Sequence, residues 1–118
     1  ATFRLRIYDW NSGSDATPAD AATKLAFQRT TTNGSPSTAV TANALDPGDP
    51  ASLAVYNTAW STTNPTITAN STVLQIAQNQ RATYRWVAAP DGELYAPATA
   101  LNGLALISVV ASATANYA

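Results

Sequence analysis

The sequence predicts an all-β fold: a single β-sandwich or jelly roll over residues 1–118, with about seven or eight short strands and at most one short helix. Three observations support this fold class. The chain holds 17 threonines, which favour strands, and nine asparagines and seven prolines, which favour turns. Turn signals recur roughly every 8–15 residues. No linker, internal repeat or second domain interrupts this pattern, so one domain is expected.

The clearest strand is predicted at the start of the chain. Phe3, Leu5 and Ile7 alternate with Arg4 and Arg6 and therefore share one face of an extended segment. This period of two places both arginines on the outer face of the strand.

Turn signals divide the rest of the first half. Residues 9–15 are expected to form a loop, residues 24–32 a strand and residues 40–45 a short strand. The tetrapeptide at residues 33–36, Asn-Gly-Ser-Pro, is a strong turn signal between them.

The sharpest break in the chain is the segment Asp-Pro-Gly-Asp-Pro at residues 46–50. Asp49 followed by Pro50 resembles a helix N-cap with proline at the first helical position. Large apolar side chains then follow at helical spacing, which predicts a short helix over residues 51–59. Extended structure is the alternative, because the β-branched and aromatic residues of this segment are poor helix formers.

The second half is expected to consist of strands. Six segments alternate or are continuously apolar: residues 66–69, 73–77, 81–87, 93–96, 104–110 and 112–117. Pro90-Asp91-Gly92 predicts a tight turn that begins with proline. Tyr84 and Trp86 share one strand face with Ala82, and this spacing places both aromatic residues in the core.

The composition excludes most kinds of catalysis. The chain has no cysteine, histidine or methionine, so disulfides, thiol nucleophiles, imidazole bases and the usual zinc, haem and iron–sulfur ligands are absent. Six basic and seven acidic residues give a net charge of −1, without the basic excess of a nucleic-acid-binding protein. We therefore expect a protein that is not an enzyme, with no cofactor and no nucleic-acid partner.

Three weak chemical signals each have a simpler explanation. Asp91 and Glu93 are a close acidic pair, but a solvated turn accounts for them. Residues 9–20 have the length of a calcium loop, yet glycine and serine stand where that loop requires other residues. Lys24 is the one lysine, and no Ser-x-x-Lys motif precedes it. No metal site is therefore predicted.

Four residues are candidates for an interaction surface: Arg4, Arg6, Trp10 and Trp60. Trp10 and Trp60 border predicted loops, where an interface contact, a place at the edge of the core and a ligand contact all remain open. Arg4 and Arg6 fit either a solvated strand face or salt bridges to neighbouring subunits. Arg81 and Arg85 are open to the same two interpretations.

Only 11% of the residues are charged, while the chain holds 25 alanines. Surfaces that pack against other subunits are depleted in charge, although GC-rich codon usage is an alternative explanation for this skew. The longest apolar run, within residues 104–111, is far too short to span a bilayer, so no membrane partner is expected. The first residues do not form a signal sequence, which predicts synthesis without a cleaved leader.

Residues 80–94 (Gln-Arg-Ala-Thr-Tyr-Arg-Trp-Val-Ala-Ala-Pro-Asp-Gly-Glu-Leu) and 97–104 (Pro-Ala-Thr-Ala-Leu-Asn-Gly-Leu) carry a resemblance. Together with the composition, they make the chain similar to small virion structural proteins of tailed bacteriophages. The resemblance covers about a quarter of the chain and carries over no individual functional residue. It implies a capsid decoration or cement protein, made in the bacterial host cytoplasm and placed on the capsid surface.

The partners that this resemblance implies are the major capsid protein or other virion subunits, together with further copies of the chain. A homo-oligomer is therefore expected, and a trimer fits a three-fold site on the capsid. The alternative is a carbohydrate-binding β-sandwich, lectin-like or adhesin-like, which would use the loop aromatic residues.

Overall fold

The computed structural model describes residues 3–109, and every regular element in that range is a β-strand. The strands are β1 (Leu5–Ile7), β2 (Asp9–Ser12), β3 (Ala22–Thr30), β4 (Thr38–Val40), β5 (Tyr56–Thr58), β6 (Ile67–Asn79), β7 (Tyr84–Val87), β8 (Leu94–Ala96) and β9 (Gly103–Ser108). The predicted all-β class is confirmed. The strands divide into four antiparallel sheets, and the sandwich or jelly-roll arrangement stays a prediction.

The largest sheet has three strands in the order β6-β3-β9. Strand β3 lies in the centre and pairs antiparallel with both neighbours, with Leu25 opposite Ile76 on one side and Ser108 on the other. Two register shifts interrupt the β3–β6 ladder around Gln28. Bulges of this kind bend a strand, and here the pairing continues beyond them with Thr30 opposite Ile67.

Two short ribbons form next to this sheet. Strand β1 pairs with β8, and β2 pairs with β7, so the first twelve residues align with two separate C-terminal segments. Leu5 lies opposite Ala96, and Ile7 lies opposite Leu94, which places these four side chains on one face. Strands β4 and β5 make a third ribbon, connected by residues 41–55.

The core is small for a chain of this length. Among the described residues, five apolar side chains are buried: Leu25, Ala26, Phe27, Leu94 and Ala96. Two threonines of β3, Thr23 and Thr30, are buried with them. Eleven large apolar side chains are exposed instead. Much of the apolar surface of the described residues is therefore in contact with solvent.

The turn after β3 leaves no space for a side chain at Gly34. Gly34 has a φ of 71°, in the left-handed region that glycine favours. A Cβ atom at this position would overlap the Thr63 carbonyl oxygen and would lie 2.7 Å from the Trp60 ring. The backbone of Ser35 bonds to Thr63 in both directions at 2.8 Å, and the Ser35–Pro36 peptide is cis. Glycine is thus required where the turn packs on Trp60.

Four elements differ from the sequence predictions. The short strand expected over residues 40–45 is wrong, because the strand is β4, Thr38–Val40, and residues 41–45 have no regular structure. The predicted helix over residues 51–59 is wrong, because Tyr56–Thr58 forms β5 with Thr38–Val40. Asp9–Ser12 forms strand β2, paired with β7, and does not belong to the predicted loop. Two short strands expected over residues 66–77 are the single strand β6. In each case a partner strand distant in sequence determines the local conformation, and local propensity does not.

The core prediction for Tyr84 and Trp86 is corrected in part. Both side chains are half-buried, and Ala82 is exposed and precedes β7. Strand β7 pairs with β2 alone among the described strands, so no further strand beside it helps to bury these two side chains. The strand predicted over residues 112–117 lies outside the described residues.

Candidate interaction site

A large concave feature of the described chain is an apolar groove with a volume of about 740 Å³. Its walls come from β1, the start of β9 and the segment that leads into β5. We call this the apolar groove and define it by its principal apolar lining: Phe3, Leu5, Ile7, Trp10, Phe27, Leu53, Val55, Tyr56, Trp60, Leu101, Leu104 and Leu106. It lies within the volume range of ligand pockets.

Trp10 joins the groove to the core. Its ring meets Phe27 edge to face, with centroids 5.4 Å apart and an interplanar angle of 84°. The Tyr84 ring lies 6.1 Å away at 51°. Trp10 is opposite Trp86 in the β2–β7 ladder, so alternation directs both of them to the same face as Tyr84 and Ser12. Trp10 is half-buried, and it therefore contributes both to packing and to the groove surface.

Trp60 lies at the part of the groove nearest the Gly34 turn. Gly34 lies close to one side of the indole ring. Pro65 also lines the groove. The indole Nε1 atom is buried and has no hydrogen-bond acceptor in the described structure. A buried donor without a partner is costly, so this N–H is a group that a ligand or a bound water could satisfy.

The groove rim exposes apolar side chains that a free protein would be expected to bury. Phe3 is 67% exposed and Leu101 is 62% exposed, and both line the groove. Leu101 also has a φ of 66°, a left-handed conformation that disfavours any residue with a Cβ. The turn it occupies is closed by the Asn102 N–H, which donates to the Thr99 carbonyl at 3.2 Å. This backbone conformation thus holds the Leu101 side chain in solvent at the groove rim.

A second, smaller hollow of about 290 Å³ adjoins the groove, and Ala96 and Pro97 line both. Its other walls are Arg4, Arg29, Tyr95 and Ala98; we call it the arginine hollow. The Arg29 guanidinium donates to the Tyr95 carbonyl oxygen at 2.8 Å, which holds this side chain in place.

Arg6 lies opposite Tyr95 in the β1–β8 ladder, so it is a neighbour of the arginine hollow without lining it. Arg4 and Arg6 are both exposed. No acidic residue lines the hollow, and none of these arginines forms an ion pair within residues 3–109. This surface therefore carries positive charge without a counter-charge.

The ion pair of the described chain lies elsewhere. Arg85 donates two hydrogen bonds to the Asp9 carboxylate, at 3.1 and 2.5 Å, across the β2–β7 ladder. The hydrogen bond from Arg85 lowers the pKa of Asp9, and the same contact raises the pKa of Arg85. Both groups face the solvent side of this ribbon, opposite to Trp10, because residues alternate along β2. Arg85 thus lies on a solvated strand face and pairs with an acid of its own chain, while a salt bridge to a neighbouring subunit stays a prediction.

The carboxylates considered for chemistry are engaged separately. Asp9 binds Arg85, and Asp20 accepts a hydrogen bond from the Asn79 amide at 2.6 Å. No group of three or more acidic side chains gathers within residues 3–109 in a way that could hold a metal ion. Asp91 has a φ of 61° in the turn that Gly92 closes on the Ala89 carbonyl, as expected for the third residue of a type II turn.

The structure brings together only part of the predicted interaction set. Trp10 and Trp60 line the same groove, although they are fifty residues apart. Arg4 lines the neighbouring hollow, and Arg6 lies next to it. The sequence pattern does not reveal Arg29 or Leu101 as part of this surface. Arg29 lies in a strand whose alternation is irregular, so its direction could not be inferred; the unusual backbone of Leu101 leaves no signal in its residue type.

No protein-family model matches this chain, and comparisons with curated proteins and with solved structures likewise give no match. No helix within residues 3–109 is long and apolar enough to cross a membrane. The interpretation of the groove therefore rests on its own physical chemistry.

Proposed function

We propose that this chain is a non-enzymatic structural subunit that binds other protein subunits through the apolar groove, and that it serves as a decoration or cement protein on the outer surface of a phage capsid. Its partners would be the major capsid protein and further copies of itself. The observation that carries the proposal is the exposed apolar rim of the groove, with Phe3 and Leu101 largely in solvent.

The groove suits a protein partner because several large apolar side chains of its lining are exposed, among them Phe3, Leu53 and Leu101. At about 25 cal/mol per Å² of apolar surface, covering three or four such side chains stabilises a complex by several kcal/mol. Charged residues are absent from the groove lining, as is typical of the centre of a protein interface. Repeated copies on a shell would add avidity, so no single contact has to be strong.

A carbohydrate ligand is the second candidate, and a specific arrangement favours it. Trp10, Tyr56 and Trp60 line the same groove, where aromatic faces can stack on sugar rings, and Asn33, Asn57 and Asn102 supply amides nearby. Trp60 also has an unsatisfied N–H. A glycan array distinguishes the two: saturable binding of a sugar in the micromolar range, lost in Trp60→Phe, would favour this alternative.

The main experiment measures binding to capsid shells. Shells are assembled from the major capsid protein encoded in the same genome, mixed with the purified chain and sedimented, and the bound copies are quantified. We expect saturable binding by the wild-type chain. We expect Phe3→Ser to bind much more weakly, because it removes an exposed aromatic side chain from the groove rim.

The matched control is Tyr8→Ser. Tyr8 is an aromatic residue of similar exposure, 58%, that does not line the groove. Shell binding that is lost in Phe3→Ser and kept in Tyr8→Ser supports the groove as the binding surface. No saturable binding by the wild-type chain, or equal loss in both variants, would count against the proposal.

A further inference from the structure

We propose that residues 41–55, here called the arm, dock onto the arginine hollow and the adjoining groove of a second copy of this chain. The inference deepens the proposed function, on which it rests, by assigning one partner of this surface. In a head-to-tail contact of this kind each copy contributes one arm and one hollow, and a closed ring results where the rotation permits.

The arm is exposed over nearly its whole length. It connects β4 to β5, and all of its residues except Ala54 are exposed. Leu45 is 94% exposed and Leu53 is 77% exposed. Connections longer than about 12–15 residues without regular structure are uncommon in compact domains and are usually functional or disordered.

The tip of the arm has a defined shape. The Asp46 side chain accepts a hydrogen bond from the Gly48 N–H at 2.8 Å, and the Asp49 N–H donates to the Asp46 carbonyl at 3.0 Å. Pro47 and Pro50 restrict the same turn. A tip with this pre-set conformation loses less entropy when it binds.

The arm and the hollow are complementary in charge. The arm carries two carboxylates, Asp46 and Asp49, and no basic residue. The hollow and its edge carry Arg4, Arg6 and Arg29 without an acidic neighbour in the lining. An arginine fork binds a carboxylate with two parallel hydrogen bonds, so each surface supplies what the other lacks.

The two surfaces also match in that each has a charged part next to an apolar part. The hollow adjoins the apolar groove at Ala96 and Pro97, which makes a cationic site next to an apolar one. On the arm, Leu45 directly precedes Asp46. A docked arm therefore places a leucine in the groove while the neighbouring carboxylates reach the arginines.

Contacts within one copy do not explain the exposed apolar and acidic side chains of the arm. Asp46 and Asp49 form no ion pair with any arginine in residues 3–109, and Leu45 is almost fully in solvent. The end of the arm, Leu53 to Val55, already forms a wall of its own groove. The two carboxylates of the tip therefore have no arginine partner within residues 3–109, and a second copy is the occupant that brings the complementary charge.

The test is the molar mass of the full chain by light scattering, over about 1–100 µM. The expected result is an assembly of the wild-type chain with a multiple of 12.3 kDa, and a dissociation constant raised about tenfold or more in Leu45→Ser and in Asp49→Arg. Both positions are exposed, so neither change disturbs folding. Asp15→Arg, at an exposed acidic residue outside the arm, is the charge-matched control and should assemble like the wild type.

The decisive experiment exchanges the charges of the two surfaces. Arg4→Asp should weaken assembly, and the double variant Arg4→Asp with Asp49→Arg should restore it at least in part, because the ion pair is then reversed. A wild-type chain that stays at 12.3 kDa throughout, or an assembly unaffected by both arm variants, overturns the inference.

The capsid proposal fails separately from this one. Shells that bind a monomeric wild-type chain overturn the arm contact and leave the capsid role standing. An assembled chain with arm-dependent mass that does not bind shells supports the arm contact and removes the capsid role.

Discussion

The rings of Trp10 and Phe27 meet edge to face, with centroids 5.4 Å apart, and so connect the buried centre of β3 to the surface of the groove. Phe27 is buried and Trp10 is half-buried. Phe27 therefore stabilises the core, while Trp10 packs on it and also forms part of the groove surface.

Trp10→Ala should destabilise the protein by about 2–3 kcal/mol, less than the roughly 3–5 kcal/mol of a fully buried tryptophan. Urea denaturation followed by circular dichroism measures this change. Trp10→Phe keeps an aromatic contact with Phe27, so its free energy of unfolding should fall by less than half as much as that of Trp10→Ala. An unchanged unfolding midpoint in Trp10→Ala would mean that this ring serves binding alone.

Gly34→Ala should destabilise the protein by more than about 2 kcal/mol, since the backbone has a positive φ and the new methyl group would overlap Thr63 and Trp60. The control is Gly13→Ala. A Cβ atom on Gly13 would make only an ordinary contact with Thr83 at 3.4 Å, and its φ is not in the left-handed region. Thermal unfolding of the two variants should differ clearly, and equal midpoints would contradict the packing described for this turn.

Leu101→Gly should raise stability by up to about 1 kcal/mol, because glycine tolerates the φ of 66° at that position. The same variant should bind its partner more weakly, since it removes an exposed apolar side chain from the groove rim. Asp91→Gly is the matched control: it relieves a similar φ of 61° outside the groove and should leave binding intact. Thermal unfolding and shell sedimentation together measure both effects.

The Asp9–Arg85 pair should make stability fall at acidic pH. Because the folded-state pKa of Asp9 is lowered, its contribution is present above the unfolded pKa of about 3.9 and is lost as the pH falls through the folded value. The pair is solvent-exposed, so the effect is small. Unfolding midpoints of the wild-type chain and Asp9→Asn, compared at pH 7 and pH 2.5, should differ at the higher pH and converge at the lower one.

The sequence predicts those strands whose own side chains carry a period of two. Phe3, Leu5 and Ile7 show this for the first strand, and Leu5 and Ile7 do share one face of the ribbon with Ala96 and Leu94. The same alternation does not reveal how completely that face is covered, which depends on chain segments about ninety residues away. This is why Phe3 is in solvent although its pattern is that of an inward-facing residue.

The interaction site could be predicted only in part for a similar reason. Tryptophan and arginine residues stand out by type, so Trp10, Trp60, Arg4 and Arg6 were found as single residues. Their grouping into one groove and one hollow follows from the pairing of β1 with β8 and of β3 with β9, and each of these pairs joins distant segments. Topology of this kind leaves no local pattern in the chain.

Strand β6 has a consequence for handling the protein. It is thirteen residues long, lies at the edge of its sheet, and contains no charged residue and no proline. Native edges usually carry such residues because an unprotected strand recruits further strands. A concentrated preparation without its partners is therefore expected to form fibrils that bind thioflavin T. Gln75→Lys, at an exposed position in β6, should delay the growth of these fibrils.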